Sequence, residues 1–175
     1  MKNERENLVM LPILLIVLGV LSRVFMHFWN FTPILAIALF AGFYLSRRNA
    51  FIVPLITMII SDVILGFHDT IFFTWGTILL ISWIGLRLRE NKSVKTVAFA
   101  SVGSAIIFFI ITNFAVWLVS GMYPKNWAGL TECYIAAIPY FRGTLLSTII
   151  YTAVLFGGYE FLAARLKHTR LAKAL

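Results

Sequence analysis

Hydrophobic positions in this chain gather into six long runs, with most of the charged residues collected between them. The runs cover 8–25, 31–45, 50–67, 71–88, 97–120 and 144–164. A helix needs about 20 predominantly apolar residues to cross roughly 30 Å of hydrocarbon, so the pattern predicts transmembrane helices rather than amphipathic surface helices. The second run is the exception in length. At 1.5 Å per residue it reaches only about 22 Å, so neighbours must shelter it or its flanks must extend it. Pro33 suits the first turn of that helix, where a missing N–H is no loss. No internal repeat or low-complexity tract interrupts the series. The reading is an all-α, polytopic membrane protein: one domain over 1–175 with six transmembrane helices.

Composition strengthens this picture. The chain is 61% apolar and 13% charged, with a mean hydropathy of +0.91, against roughly 45–50% and about 25% for soluble domains. The stretch 96–124 carries no charge at all. Lys2 and Arg5 precede the first run as in a signal peptide. Its apolar stretch 12–20 leads into Ser22, Arg23, Val24, Phe25, Met26, His27, Phe28 and Trp29, bulky and partly charged residues with no small-x-small cleavage site, so the run is expected to be retained. Cys133 is the single cysteine, which leaves no intrachain disulfide.

The net charge of +8 is a topological signal. Lys2, Arg5, Arg47, Arg48, the group Arg87, Arg89, Lys92 and Lys95, and the tail group Arg165, Lys167, Arg170 and Lys173 fall on one side. Arg23, Lys125 and Arg142 fall on the other. By the positive-inside rule both termini are cytoplasmic. No loop is long enough to form a basic nucleic-acid-binding face, so nucleic acid is not an expected partner, whereas anionic membrane lipid is.

Orientation gives every polar residue in a span a depth. Arg23, Asp62 and Asn113 lie in the outer part of spans running outward. Thr74, Trp75, Thr77, Thr144, Ser147, Thr148, Tyr151 and Thr152 lie in the first half of spans running inward. Buried charges are costly in a bilayer and face a bundle interior, a partner or water. The convergence predicts a polar cavity open to the outside. Thr57, Ser82, Ser101 and Ser104 lie deeper and suit helix packing, and Glu160 suits an ion pair at the inner interface with Arg165 or its neighbours. The connection 121–143 is too polar and too punctuated by Gly121, Pro124 and Gly129 to cross lipid. It is expected outside, as a gate beside the cavity, with a short interfacial helix over 134–141 leading through Pro139 into the last span. Trp29, Tyr123, Trp127, Tyr134 and Tyr140 suit either a flat ligand or an interfacial aromatic belt.

Several constellations carry candidate chemistry. Asp62 either pairs with Arg23 to join two helices or serves as a hydrogen-bond acceptor or an ion or proton site. Gly66 ends its helix before Asp69. Asn113 and Trp117 are four apart and share a face, where they could form a binding platform or an interhelical bond with an anchor. His27, His68, Asp69, Glu132 and Cys133 match no recognised metal spacing. There is no G-x-S-x-G, H-E-x-x-H or nucleotide-binding loop, so no catalytic residue, metal or cofactor is assigned, the chain is not read as an enzyme, and it cannot energise transport with ATP itself. Ala38-x-x-x-Gly42 and Ala153-x-x-x-Gly157 are small-xxx-small patterns that serve either packing within the bundle or docking to another subunit.

Certain segments together resemble an uncharacterised family of bacterial membrane proteins described as candidate transport proteins. These are Asn30, Phe31, Thr32 and Pro33 followed by 36–40; Ser61 and Asp62 with Gly66, Phe67 and His68; Thr112, Asn113 and Phe114 with Trp117; and Cys133 and Tyr134 through 137–142. The resemblance is collinear over nearly the whole chain. The architecture is also similar to the S components of energy-coupling factor (ECF) transporters, six-helix proteins that capture vitamins or related micronutrients from outside. That resemblance implies a bacterial inner-membrane location and an energising module with a T component and two ATPases. S components typically carry an Ala-x-x-x-Ala contact motif on the first helix. The run 8–25 has none, and Ala38 and Gly42 are the nearest substitute for partner contact.

The functional expectation is uptake of a small polar solute, bound by Asp62, Asn113, Arg23 and His68, followed by Trp117, Trp127 and Tyr151. A structural or assembly subunit is the second reading, and a metal-dependent membrane enzyme the third.

Overall fold

A computed structural model describes residues 2–25 and 30–166, with the side chains of 10–25 and 30–165. All regular structure among them is helical: α1 (Lys2–Phe25), α2 (Ile34–Tyr44), α3 (Arg47–Leu65), α4 (Ile71–Leu88), a 3₁₀ turn (Arg89–Asn91), α5 (Val94–Val119) and α6 (Trp127–Leu166). Helices answer the demand that backbone polar groups be satisfied within the segment when no water is at hand. Four of them, α3 to α6, are long and apolar enough to cross a membrane, whereas the apolar part of α1 (Met10–Phe25) and α2 are shorter. Large apolar side chains such as Met10, Phe72, Phe99 and Val154 cover the outer face.

The short second run is resolved by position. α2 packs against all five other helices, and ten of its eleven residues are buried. It is apolar all round because it has no outer face. Its contact with α4 is a backbone approach: a Cβ built on Gly42 would overlap the Ser82 carbonyl oxygen, and one on Gly85 would sit 2.7 Å from the Leu39 carbonyl oxygen. Ala38 is fully buried in the same core. Ala38 and Gly42 are therefore not available for partner contact. They join α2 to its neighbours, because only small residues let two helix backbones come this close.

Local signals set several helix ends. The Ser46 hydroxyl accepts from the Asn49 N–H at 3.3 Å at the start of α3, and the Ser93 hydroxyl accepts from the Thr96 N–H at 3.1 Å at the start of α5. Gly66, at φ 100°, ends α3, as its sequence position implied. Ser93→Ala should cost about 1 kcal/mol, read as a small drop in the thermal midpoint.

The last helix departs from expectation. Residues 127–143 are the first part of α6, a 40-residue helix that continues through Pro139, so the helix expected over 134–141 is present but begins at Trp127 and is not separate from the last span. Packing along α5 explains the continuity. Tyr134 donates to the Ile110 carbonyl at 2.7 Å and the Cys133 thiol to the Asn113 carbonyl at 3.4 Å, so the two helices lie side by side. The intervening turn is pinned. Asn126 caps α6 by accepting from the Gly129 N–H at 2.9 Å, Trp117 Nε1 donates to the Pro124 carbonyl at 2.9 Å, and Lys125 donates to the Trp117 carbonyl. These contacts place 127–143 in a helix rather than a loop.

Deeper polar groups mostly bond within their own helix. Thr57, Ser82 and Ser104 donate to the carbonyls of Val53, Ile78 and Ala100, as helix packing requires. Glu160 is ion-paired with Lys92.

Candidate functional site

Asp62 is 1% exposed on α3, at the level where α1, α3 and α4 meet. Its Oδ1 lies 2.8 Å from Nη1 of Arg23, in the last turn of α1. Oδ2 accepts from Trp75 Nε1 of α4 at 2.7 Å. Arg23 Nη1 also donates to the Ser61 hydroxyl and lies 3.2 Å from the Met58 sulfur. The Arg23 side chain is itself only 16% exposed, so the pair is largely withdrawn from water, with Asp62 on the dry side and Arg23 toward the cavity. Such a pair is tolerated only when attraction and hydrogen bonds offset its desolvation.

In front of Arg23 lies a cavity of about 350 Å³, to which every helix contributes. Arg23 and Met58 form one wall. Asn30 and Thr32, in the α1–α2 connection, form a second, and Thr74 joins from α4. α5 supplies Phe108, Phe109, Thr112, Asn113 and Val116, and α6 supplies Ala137, Tyr140, Phe141 and Thr144. The rings of Phe109 and Phe141 pack at 4.7 Å, which stiffens the apolar side.

The polar groups in this lining are directional. Thr74 donates to the Ile71 carbonyl at 2.8 Å, Thr112 to Phe108 at 2.7 Å and Thr144 to Tyr140 at 3.1 Å. Asn113 Nδ2 donates to the Phe109 carbonyl at 2.7 Å. With their hydrogens committed to their own helices, the three hydroxyls present oxygen lone pairs, while the Asn113 amide offers its oxygen and its second N–H. Arg23 is the one charged side chain among the described lining residues. Its contacts to Ser61, Met58 and Asp62 all run through Nη1, so Nη2 and Nε remain as donors among the described residues.

The expected site residues separate on this geometry. Arg23 and Asn113 line the cavity, and Asp62 stands directly behind Arg23. His68 does not take part: it is exposed beyond the end of α3, with Nδ1 2.9 Å from the Thr70 hydroxyl. Trp117 holds the α5–α6 turn, and Trp127 is 83% exposed at the start of α6. Tyr151 stacks on Phe31 at 5.7 Å. None of these four lines the cavity, since each is turned to the surface or to a neighbouring element. Among the described residues no three of His, Cys, Asp and Glu come together. His27 and Trp29 lie outside the described residues. Trp75 was legible only as a polar group in the outer half of a span, and nothing in the sequence named it as the partner of Asp62. Phe108, Phe109 and Phe141 carry the same apolar signal as any core residue.

A second cavity of about 700 Å³ lies between α5 and α6 near the Lys92–Glu160 pair. Its lining includes Ala98, Ala153 and Gly157, and a Cβ on Gly157 would meet nothing within 4 Å. Ser101 and Thr152, 2% and 3% exposed, also line it, and their hydroxyls have no hydrogen-bond partner among the described residues.

The profile of a family described as "Family of unknown function (DUF6580)" matches residues 2–171. No curated protein and no solved structure matches the chain.

Proposed function

The chain belongs to this family of unknown function, and because membership assigns no activity, we propose from the geometry that the protein is a multi-pass transport protein of the bacterial inner membrane. It has six membrane-embedded helices and cytoplasmic termini, and captures a small polar solute from the extracytoplasmic side. One observation carries the reading: Arg23 is held by Asp62 and yet forms part of the wall of a cavity. A purely structural ion pair has no need of an adjoining space. The volume of about 350 Å³ lies at the lower end of the roughly 300–1,000 Å³ typical of ligand pockets, which suits a vitamin-sized molecule. The energy for uptake would come from an ECF-type T component with its ATPases.

The test is a thermal-shift and native mass-spectrometry screen of the purified protein against vitamins and related micronutrients. A bound solute should raise the midpoint. Asn113→Leu should weaken its affinity at least tenfold, while the ligand-free midpoint stays within a few degrees, because Asn113 bonds only within its own helix apart from its backbone contact to Cys133. If no solute stabilises the protein, the capture reading is abandoned.

The groove between α5 and α6 favours a second reading, an assembly subunit. Ala153 and Gly157 would let another subunit's transmembrane helix approach closely enough for its carbonyls to accept from Ser101 and Thr152.

A further inference from the structure

Resting on the solute-capture reading, we infer that the Arg23 cavity takes a neutral solute carrying a carbonyl beside N–H groups, such as an amide, lactam or heterocyclic imide, and discriminates against its carboxylate analogue. An arginine in a pocket ordinarily suggests an anion, but here its charge is already answered. Asp62 Oδ1 lies 2.8 Å from Nη1 with both side chains largely out of water, and no other cation occurs among the described lining residues. A bound carboxylate would therefore add an uncompensated charge in a space walled largely by Phe108, Phe109, Phe141 and Val116. A neutral carbonyl oxygen avoids that cost and still accepts from Nη2 or Nε, the arginine nitrogens with no partner among the described residues.

The remaining polarity points the same way. Thr74, Thr112 and Thr144 have their hydroxyl hydrogens directed at their own helices, and Asn113 one of its two amide hydrogens. The three threonines thus present oxygen lone pairs, which repel a carboxylate and accept from N–H groups, and Asn113 offers its oxygen beside one remaining N–H. The Arg23 donors facing the threonine hydroxyls and the Asn113 oxygen are the complement of a group that holds C=O and N–H together. The aromatic wall, with Phe109 and Phe141 at 4.7 Å, offers a flat apolar surface for the rest of the molecule.

The experiment titrates the purified full chain by calorimetry with matched sets at up to millimolar concentration. The sets are nicotinamide, nicotinate and 3-picolylamine, then uracil and orotate, then biotin amide and biotin. The neutral member should bind at least tenfold tighter than its acid in any set that binds. The double variant R23M/D62L should lose that binding while remaining folded by thermal midpoint. An acid or amine that binds as tightly as its neutral partner overturns the inference and leaves solute capture standing. A solute retained by R23M/D62L with unchanged affinity also overturns it. Absence of binding by every neutral member overturns it as well, and if the wider micronutrient screen is equally silent, solute capture falls with it.

Discussion

Asp62→Ala should lower the stability of the purified protein by about 3–5 kcal/mol, the usual cost of leaving one member of a buried ion pair unpaired. At roughly 2–4 °C per kcal/mol for a chain of this size, the midpoint falls by on the order of 10 °C. The expectation follows from what Asp62 holds: Arg23 on one oxygen and the Trp75 indole N–H on the other, both reaching a carboxylate that is 1% exposed. Removal strands a cation and a donor together. Asp62→Asn should cost less, since its amide oxygen still accepts from Trp75. R23M/D62L should recover most of the loss, because replacing both members of a buried pair by apolar groups is often close to neutral. Thermal unfolding in detergent measures all three. If the double variant were no more stable than Asp62→Ala, the ion pair would not be the source of the effect.

The second large effect is steric. Gly42→Val should destabilise by about 3 kcal/mol or more, the upper end of what overpacking costs, because the added atoms meet the backbone of α4 rather than a movable side chain. Gly85→Val should behave alike, since its Cβ would approach the Leu39 carbonyl and the Gly42 backbone. Gly76→Ala and Gly103→Ala are the controls. Neither added Cβ meets any atom within 4 Å, and both positions lie within helices, so these changes should be neutral or stabilise by up to about 1 kcal/mol. A similar loss at all four positions would show that helix propensity, not contact between α2 and α4, governs these glycines.

The contrast between Asn113 and Trp117 shows how far sequence reaches toward the site. Their spacing of four places them on neighbouring parts of one helix, but Asn113 lines the cavity while Trp117 is taken by the Pro124 carbonyl. Spacing states which residues share a face and not which neighbour that face meets. The same limit applied to His68 and Trp127, polar and aromatic groups at a predicted rim that lie beyond the cavity's reach. Arg23 and Asp62 were legible as a pair because a charge within an apolar run has few acceptable surroundings.

What the sequence determined by itself is local. Long uncharged runs become helices because hydrocarbon leaves backbone groups no other partners. Ser46 and Ser93 start helices, and Gly66 ends one, through bonds and backbone angles that involve near neighbours in the chain. Tertiary structure decided the rest. The central burial of α2, the start of α6 at Trp127 beside α5, and the choice of threonines that face the cavity all depend on side chains distant in sequence. An apolar helix carries no stripe to say which side turns inward, so only the fit of neighbouring helices supplies that information.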